Sequence, residues 1–549
     1  MGRTRLSLMI YLLGQTSAWA GGGPANVLVL ANADDPSAIM VAEHYSAARS
    51  LPPGHMCEIV GVDVGALTID FTDYETHVLA GLDDCLATLP QPEEIDYLVV
   101  ARGLPYKVNI PDGFSTSLQA MLQVGHTERA VTGERLAGAG QSNSDGTFYA
   151  TVRNPFFVGD GPSDLFEQTN PYDMHYTSAA QIVSTDTQPR AFTRKQAMQW
   201  FGWDFTGNLF IVSRLDGFDA DDAMDLVDRA ITADGTFPSA PITCMKAADD
   251  ARGARDPECH FVVEALHATS SPGEWIEPFD STLSGRSFSG FLTGTTSLHN
   301  GIDGNTFVPG AFAGNLTSFG AAPSNFVCSF GICPESENQT SIARFVRAGA
   351  TGAHGTTNEP LNNSFPSAGM FLFQTMGYGM IESAMFTQRY LYWQNIYLGD
   401  PLTSPWAERP HVSITEPVIA SEPVQIVAEH PHGISEVRLY VDGVRVDSEE
   451  SLADTVGAMA GDTVELLAVA LAENSSTSRP SWPVPESLAR PDIQGWSTFT
   501  VTLTEAPVVE EESTSKPKEG GCAHTSMPVR PWFLWWLPLG VICILRRTQ

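Results

Sequence analysis

Apolar and polar positions divide the chain into stretches with different grammars. Residues 26–31 (NVLVLA), 57–62 and 95–101 (IDYLVVA) are short, continuously apolar runs of the buried-strand type. Asp35-Pro36-Ser37 opens a helix, with Asp35 as N-cap and Pro36 in the first turn. Ile39, Ala42, His44, Tyr45 and Ala48 give that helix a mostly apolar face, and Pro52-Pro53-Gly54 ends it. A second helix is predicted over 74–89. The pattern returns at 208–213 (NLFIVS), with a helix over 221–233. Further apolar runs follow at 241–246, near 260–265, at 289–293 and at 311–317, with helices predicted over 340–347 and 381–397. Apolar strands alternating with helices predict an α/β fold, a doubly wound and mostly parallel sheet covered on both faces, over residues 21–408. The polar stretch 125–190, rich in Gly, Asn and Pro, reads as an irregular insertion, a lid or an edge element.

After Pro410 the period becomes two. Runs at 424–428, 436–441, 444–446, 464–470 and 498–502 are β-type, and Val437, Leu439 and Val441 alternate with Arg438 and Tyr440. Asp442-Gly443 is a two-residue hairpin signal. These strands predict an all-β, immunoglobulin-like sandwich over 409–505, acting as a spacer or a binding platform.

The two ends read as addresses. Arg3 and Arg5, the apolar run 6–13 and Ala18-Trp19-Ala20 have the order of a secretory signal cleaved after Ala20, so residues 1–20 are expected to be removed by signal peptidase. At the other end an acidic linker leads to Gly520-Gly521-Cys522 within 506–531, followed by a transmembrane sorting segment at 532–547. Its apolar part, 532–545, covers about 21 Å as a helix, short of a hydrocarbon core of about 30 Å. The flanking tryptophans and Arg546-Arg547 can sit at the interfaces and make a short span tolerable. Cys522, this apolar stretch and the terminal arginines resemble the myxobacterial sorting signals of the MYXO-CTERM type. The resemblance implies a sorting protease as partner, with Cys522 as the processing or lipidation point, and localisation in the cell envelope or at the cell surface. An ordinary retained anchor is the alternative.

A net charge of −34 argues against nucleic acid, whose phosphates would be repelled, and suits a soluble secreted surface. Outside the tail there are six cysteines, Cys57, Cys85, Cys244, Cys259, Cys328 and Cys333. In an oxidising compartment these suggest disulfides, and six cysteines allow fifteen pairings. Local closure favours 57–85, 244–259 and 328–333. No CxxC pair occurs, so zinc is the weaker reading and no metal or cofactor is expected. P-loop, dinucleotide, HExxH and EF-hand motifs are also absent.

Open α/β sheets bind ligands at the carboxyl ends of their strands. Two strand runs end alike, YLVVARGLP with Arg102 and LFIVSRLDG with Arg214 followed by Asp216. Two guanidiniums and a carboxylate at one sheet edge could clamp an acidic or peptide-like ligand; equally, they could pair with each other and hold loops. The Gly-rich region 291–322, GATGAHGTTNEP (349–360) and YLGDPL (397–402) carry the other candidates. Ser318, Thr317 and Thr295 are potential nucleophiles, His299 and His354 potential bases, and Glu359 and Asp400 potential orienters or acids. His354 also fits a buried, satisfied histidine under a turn.

Residues 26–406 resemble an uncharacterised family of bacterial secreted proteins from species with exosortase-type sorting. The carrying segments are NVLVLANADDPSAIMVAEHYSAARSLP, YLVVARGLP, FIVSRLDG, FVPGAFAGNLTSFGA, GATGAHGTTNEP and LGDPL. A more distant resemblance is to gingipain-type cysteine peptidases of the caspase-like clan, through Gly399-Asp400-Pro401 and the strand ends near Thr295 and Ser318. That resemblance implies a caspase-like sheet. Thr295 stands where the clan's histidine is wanted, and no cysteine stands near Ser318. A serine hydroxyl needs an adjacent base that a thiolate can do without. The expectation is therefore an exported envelope protein binding a peptide or glycan on a caspase-like domain that lacks its nucleophile. The alternatives are a hydrolase using Ser318 with His299 or His354, and a purely structural envelope protein.

Overall fold

The computed structural model of the protein describes residues 22–110, 114–124, 141–142, 148–149, 152–153, 210–268, 271–328, 333, 338–359, 365–388, 390–391, 394–473 and 492–507. The expected leader, most of the 125–190 insertion, Cys522 and the 532–547 segment lie outside these residues. Among the described residues, no helix is long and apolar enough to cross a membrane.

Ten strands form the central sheet: β1 (Val27–Asn32), β2 (Met56–Ile59), β3 (Tyr97–Ala101), β4 (Ile211–Leu215), β5 (Ile242–Met245), β6 (Gly273–Ile276), β7 (Ser287–Thr293), β8 (Thr306–Asn315), β9 (Gly352–Thr356) and β10 (Asn395–Gly399). Their order is β6-β5-β7-β8-β9-β10-β4-β3-β1-β2. Every neighbouring pair is parallel except β9 and β10. At that antiparallel seam Gly352 faces Gly399 and Thr356 faces Asn395. The seam divides the sheet into two halves pointing in opposite directions. One holds β1 to β4 with β10, and the other holds β5 to β9. Each half has the same strand order, second-first-third-fourth-fifth, the doubly wound order with its switch point beside the first strand. The second half is inserted between the fourth and fifth strands of the first.

β1, β3, β4, β5, β9 and β10 are buried at every position. Successive side chains point to opposite faces, so both faces are covered. The helices used below are α1 (Pro36–Arg49), α2 (Ala80–Thr88), α3 (Leu118–Val124), α4 (Ala220–Ala233), α5 (Asp256–Ala265), α6 (His299–Asp303), α7 (Ile342–Arg347) and α8 (Met380–Thr387). Asp35 caps α1, its Oδ1 accepting from the Ser37 amide at 2.9 Å, and the helix ends at Ser50 in the left-handed region.

Two expectations are corrected, and one strand went unread. The apolar run at 260–265 lies in α5, because Pro257 starts a helix whose face buries Cys259, Val262 and Val263. The helix predicted over 381–397 ends with α8, and the chain then returns as β10, where Ile396, Tyr397 and Leu398 fill the seam. β9 was hidden by its glycines, which serve close packing. A Cβ at Gly352 would lie 2.3 Å from Met380 Sδ, and one at Gly355 would lie 2.6 Å from Ile342 Cγ2.

Cys57–Cys85 joins β2 to α2, and Cys328–Cys333 closes a short loop. Cys244 and Cys259, expected as the third pair, are both buried free thiols. Cys244 lies in β5 and Cys259 on α5, which packs against it.

Beyond Pro410, β11 (His411–Ile414) pairs antiparallel with β12 (Ile426–Glu429). β13 (Glu436–Val441), β14 (Val444–Val446), β15 (Thr463–Glu473) and β16 (Asp492–Thr502) form an antiparallel sheet in the order β14-β13-β15-β16. Asp442 and Gly443 turn the β13–β14 hairpin with φ of 48° and 83°, the pair of positive angles that a primed turn requires. This sheet is fastened to the α/β part. The Tyr440 hydroxyl donates to Glu94 at 2.6 Å, Arg445 pairs with Glu94 at 2.7 Å, and Ala25 packs among Tyr440, Leu467, Val469 and Leu471.

Candidate functional site

The antiparallel seam puts the carboxyl ends of the two half-sheets on opposite rims. Arg214 of β4 lies level with Leu398, while Gly352 at the start of β9 lies level with Gly399. Arg102, Arg214, Asp216 and Asp400 therefore share the rim of the first half. Ser318 and Glu359 follow β8 and β9 on the rim of the second. The single rim expected from the sequence does not form, and the candidate nucleophile is separated from the candidate clamp.

On the first rim the charged groups hold each other. Arg214 is fully buried. Its Nε donates to Asp216 at 2.8 Å, and its terminal nitrogens donate to the carbonyls of Leu104 and Pro105 at 2.6 and 3.2 Å. Tyr106 lies over the guanidinium at 3.9 Å and donates its hydroxyl to Asp216 at 2.7 Å. Burial, with Asp216 beside it, pushes that hydroxyl's pKa up, so Tyr106 stays protonated. Asp400 is likewise fully buried, accepting from the Tyr45 hydroxyl at 2.8 Å, from Arg49 at 2.5 Å and from the Leu402 amide at 2.9 Å. Arg49 also pairs with Asp234 at 2.5 Å. Burial opposes ionisation of Asp234, but Arg49 and Arg409 hold it below the usual carboxylate range. These groups tie α1 and α4 to the end of β10. Arg102 is partly exposed, its amide donating to Leu215 at 3.0 Å.

In the middle of the second rim, after β7 and β8, the polar groups are neutral and interlocked. The Thr295 amide donates to Asn315 Oδ1 at 2.9 Å, and Asn315 Nδ2 returns a bond to the Thr295 carbonyl at 2.9 Å. Thr317 donates its hydroxyl to Gln339 Oε1, which also accepts from the Phe319 amide at 2.9 Å. Ser318 is 8% exposed, and its carbonyl accepts from the Thr356 hydroxyl at 3.0 Å. His354 lies within β9, 2% exposed, packed on Phe365 and Tyr397 with Nε2 2.9 Å from Asn395 Oδ1. Burial lowers its pKa to about 3, so it is a neutral packing group at physiological pH. Glu359 is exposed, and its amide donates to Asn358 Oδ1 at 2.9 Å. His299 opens α6, and its side chain is outside the described ones.

Sequence reasoning overlooked a cavity of about 450 Å³ just beyond the end of β4, lined by Phe218, Asp303, Asn305, Arg344, Arg347 and Ala348 together with Cys333. Arg347 lies 4.6 Å over the Phe218 ring and pairs with Asp219 at 2.6 Å and Asp222 at 2.9 Å. Arg344 pairs with Asp303 at 2.7 Å. Two guanidiniums beside carboxylates are the combination that the sequence assigned to Arg102, Arg214 and Asp216. Here they come from α7, the end of α6 and the start of α4. The available signal was Arg344 and Arg347, three apart on one face of a helix capped by Ser341. Among the described residues, no group of three or more His, Cys, Asp or Glu side chains could hold a metal ion.

No protein-family model matches the chain, and no curated protein matches it. One solved structure, described as "Structure of Protease", superposes with a TM-score of 0.35 at 10% identity, covering 87% of this chain and 98% of that one.

Proposed function

We propose that the chain is an exported cell-envelope protein whose α/β part binds a peptide without cleaving it. The observation that supports this most directly is the cavity of about 450 Å³ at the end of β4, lined by Arg344, Arg347 and Asp303, with both arginines in ion pairs at its wall. That volume suits a few residues of peptide. Its mixed charges suit a ligand carrying both a carboxylate and a cation, each exchanging with an existing ion-pair partner. Ser318 has no described base beside it to take its proton, since His354 is buried, neutral and held by Asn395. The leader ending at Ala20 and the Cys522 tail direct the chain to the envelope in this reading. The caspase-like description of 21–408 and the immunoglobulin-like description of 409–505 belong to it, with the latter holding the former away from the membrane.

The test is an array of unmodified peptides probed with the purified protein and with an Arg344→Gln/Arg347→Gln variant. Peptides retained by the parent and released by the variant are expected; equal retention by both overturns the assignment. A fluorophosphonate serine probe is expected to leave Ser318 unlabelled. Labelling that disappears in Ser318→Ala would replace the binding module with a hydrolase.

A further inference from the structure

The first described residues enter a crevice instead of lying on the surface. Gly22, Gly23, Pro24, Ala25 and Asn26 are all buried. Pro24–Asn26 make one turn of 3-10 helix, held from both parts of the molecule. Asn26 Nδ2 donates to the Glu94 carbonyl at 2.8 Å, and Asn26 Oδ1 accepts from the Gly23 amide at 3.0 Å and from Gln494 Nε2 of β16 at 3.2 Å. The Gly22 amide donates to the Tyr97 hydroxyl at 3.1 Å. Tyr97, at the start of β3, donates that hydroxyl to Oε1 of Glu382. Glu382 is 1% exposed, and its Oε2 accepts from the Gly379 amide at 3.0 Å, closing the first turn of α8. Burial, with Glu382 beside it, pushes the pKa of the Tyr97 hydroxyl well up, so it stays a donor. The fit admits no side chain. A Cβ at Gly22 would run into the Tyr97 ring, and one at Gly23 into the Gln494 amide.

We infer that Gly22–Asn26 are a latch that seats only once the leader is cut, and that the crevice beneath it binds a primary ammonium, the α-amino group the cut creates on Gly21, with the Glu382 carboxylate as counter-ion. The inference rests on the export reading for the cut itself. A protease takes its substrate extended and accessible on both sides of the scissile bond. The Ala20–Gly21 bond cannot enter such a cleft while Gly22 is buried against Tyr97, so cutting precedes seating. Signal peptidase adds water across that bond, leaving a carboxylate on Ala20 and an ammonium on Gly21. Covalent geometry holds this ammonium within about 3.6 Å of the Gly22 nitrogen. It is therefore presented to the buried Tyr97–Glu382 pair, where a carboxylate attracts a cation more strongly than in water. Before the cut the same nitrogen is a neutral amide and supplies no such attraction. Once seated, the latch ties β3 and α8 to β16, and so the α/β part to the C-terminal sheet.

The full mature chain, made to begin at Gly21, is treated at neutral pH with 2-pyridinecarboxaldehyde, which is selective for N-terminal α-amines, and adduct formation is followed by mass spectrometry. Reaction about tenfold slower in the folded chain than in the urea-unfolded chain is expected. Equal rates overturn the ammonium site. A chain carrying one added alanine before Gly21 moves the ammonium without altering any internal residue. It is expected to react at the unfolded rate and to exchange the amides of 22–26 about tenfold faster than the parent. Unchanged exchange in the extended chain overturns the latch. Glu382→Gln removes the charge and leaves a hydrogen-bonding side chain; it is expected to restore amine reactivity with the circular dichroism of the parent, and continued protection overturns the counter-ion role. Mass mapping of the N-terminus of protein recovered from the producing cells reports leader removal separately. A retained leader there overturns the export reading, whereas the amine assay judges the site on a chain that begins at Gly21 in either case.

Discussion

The two half-sheets share a strand order and differ in what they place at their carboxyl ends. The first half ends in charges that are desolvated and fully paired, Arg214 with Asp216 and Asp400 with Arg49. The second half places hydroxyls and amides after β7 and β8, Thr295 with Asn315 and Thr317 with Gln339, and carries its ion pairs, Lys246 with Glu277 and Arg252 with Asp249, closer to solvent beyond β5 and β6. Position at a strand end therefore does not by itself make a site. A buried charge whose bonds are all internal holds loops, and a ligand needs groups that can exchange partners with solvent, as Arg344 and Arg347 can.

The largest effect is expected at the charged rim. Asp216→Ala leaves Arg214 buried with carbonyl partners only, and the loss of stability in urea unfolding should be about 3–5 kcal/mol. A loss below about 1 kcal/mol would mean that Arg214 reaches solvent and remains available to a ligand.

A pH experiment sharpens the other rim. His354 has a folded pKa near 3, below the ordinary value of 6.5 that applies to the unfolded chain. Between those values the unfolded chain binds a proton that the folded one refuses. The stability associated with neutral His354 is thus complete above pH 6.5 and declines as the pH falls, until the folded pKa is passed. At pH 5 the decline amounts to about 2 kcal/mol. Equilibrium unfolding at pH 7 and pH 5 should show this difference in the parent and lose it in His354→Gln. An unchanged pH dependence in the variant would mean that His354 is accessible and titrates normally.

A smaller effect is expected at the neutral lattice. Gln339→Ala removes the acceptor shared by Thr317 and Phe319 and should cost about 1–2 kcal/mol. Ser318→Ala should move stability by no more than about 0.5 kcal/mol, because the bond at that position comes from the Ser318 carbonyl and survives. A larger loss there would show that the hydroxyl is engaged and reopen the nucleophile.

Legibility follows the range of the interactions concerned. The Asp35 cap, the Asp442-Gly443 turn and the continuous apolar runs of β1 and β3 were readable because each depends on a few neighbouring residues. β9 went unread, since glycines at 352 and 355 answer to Met380 and Ile342, remote contacts without a periodic signal, and β10 was taken into the preceding helix. The surroundings of the candidate site residues depend on partners far along the chain, such as Tyr45 with Asp400. Cys244 and Cys259, expected as a third disulfide, are free buried thiols.

By itself, the sequence determined that apolar strands covered by helices come before Pro410 and shorter β-strands after it, because burial periodicity is written locally. Only the tertiary structure decided that β10 runs against β9. The direction of a strand within a sheet is set by which distant surfaces it completes, and that choice turned one expected rim into two.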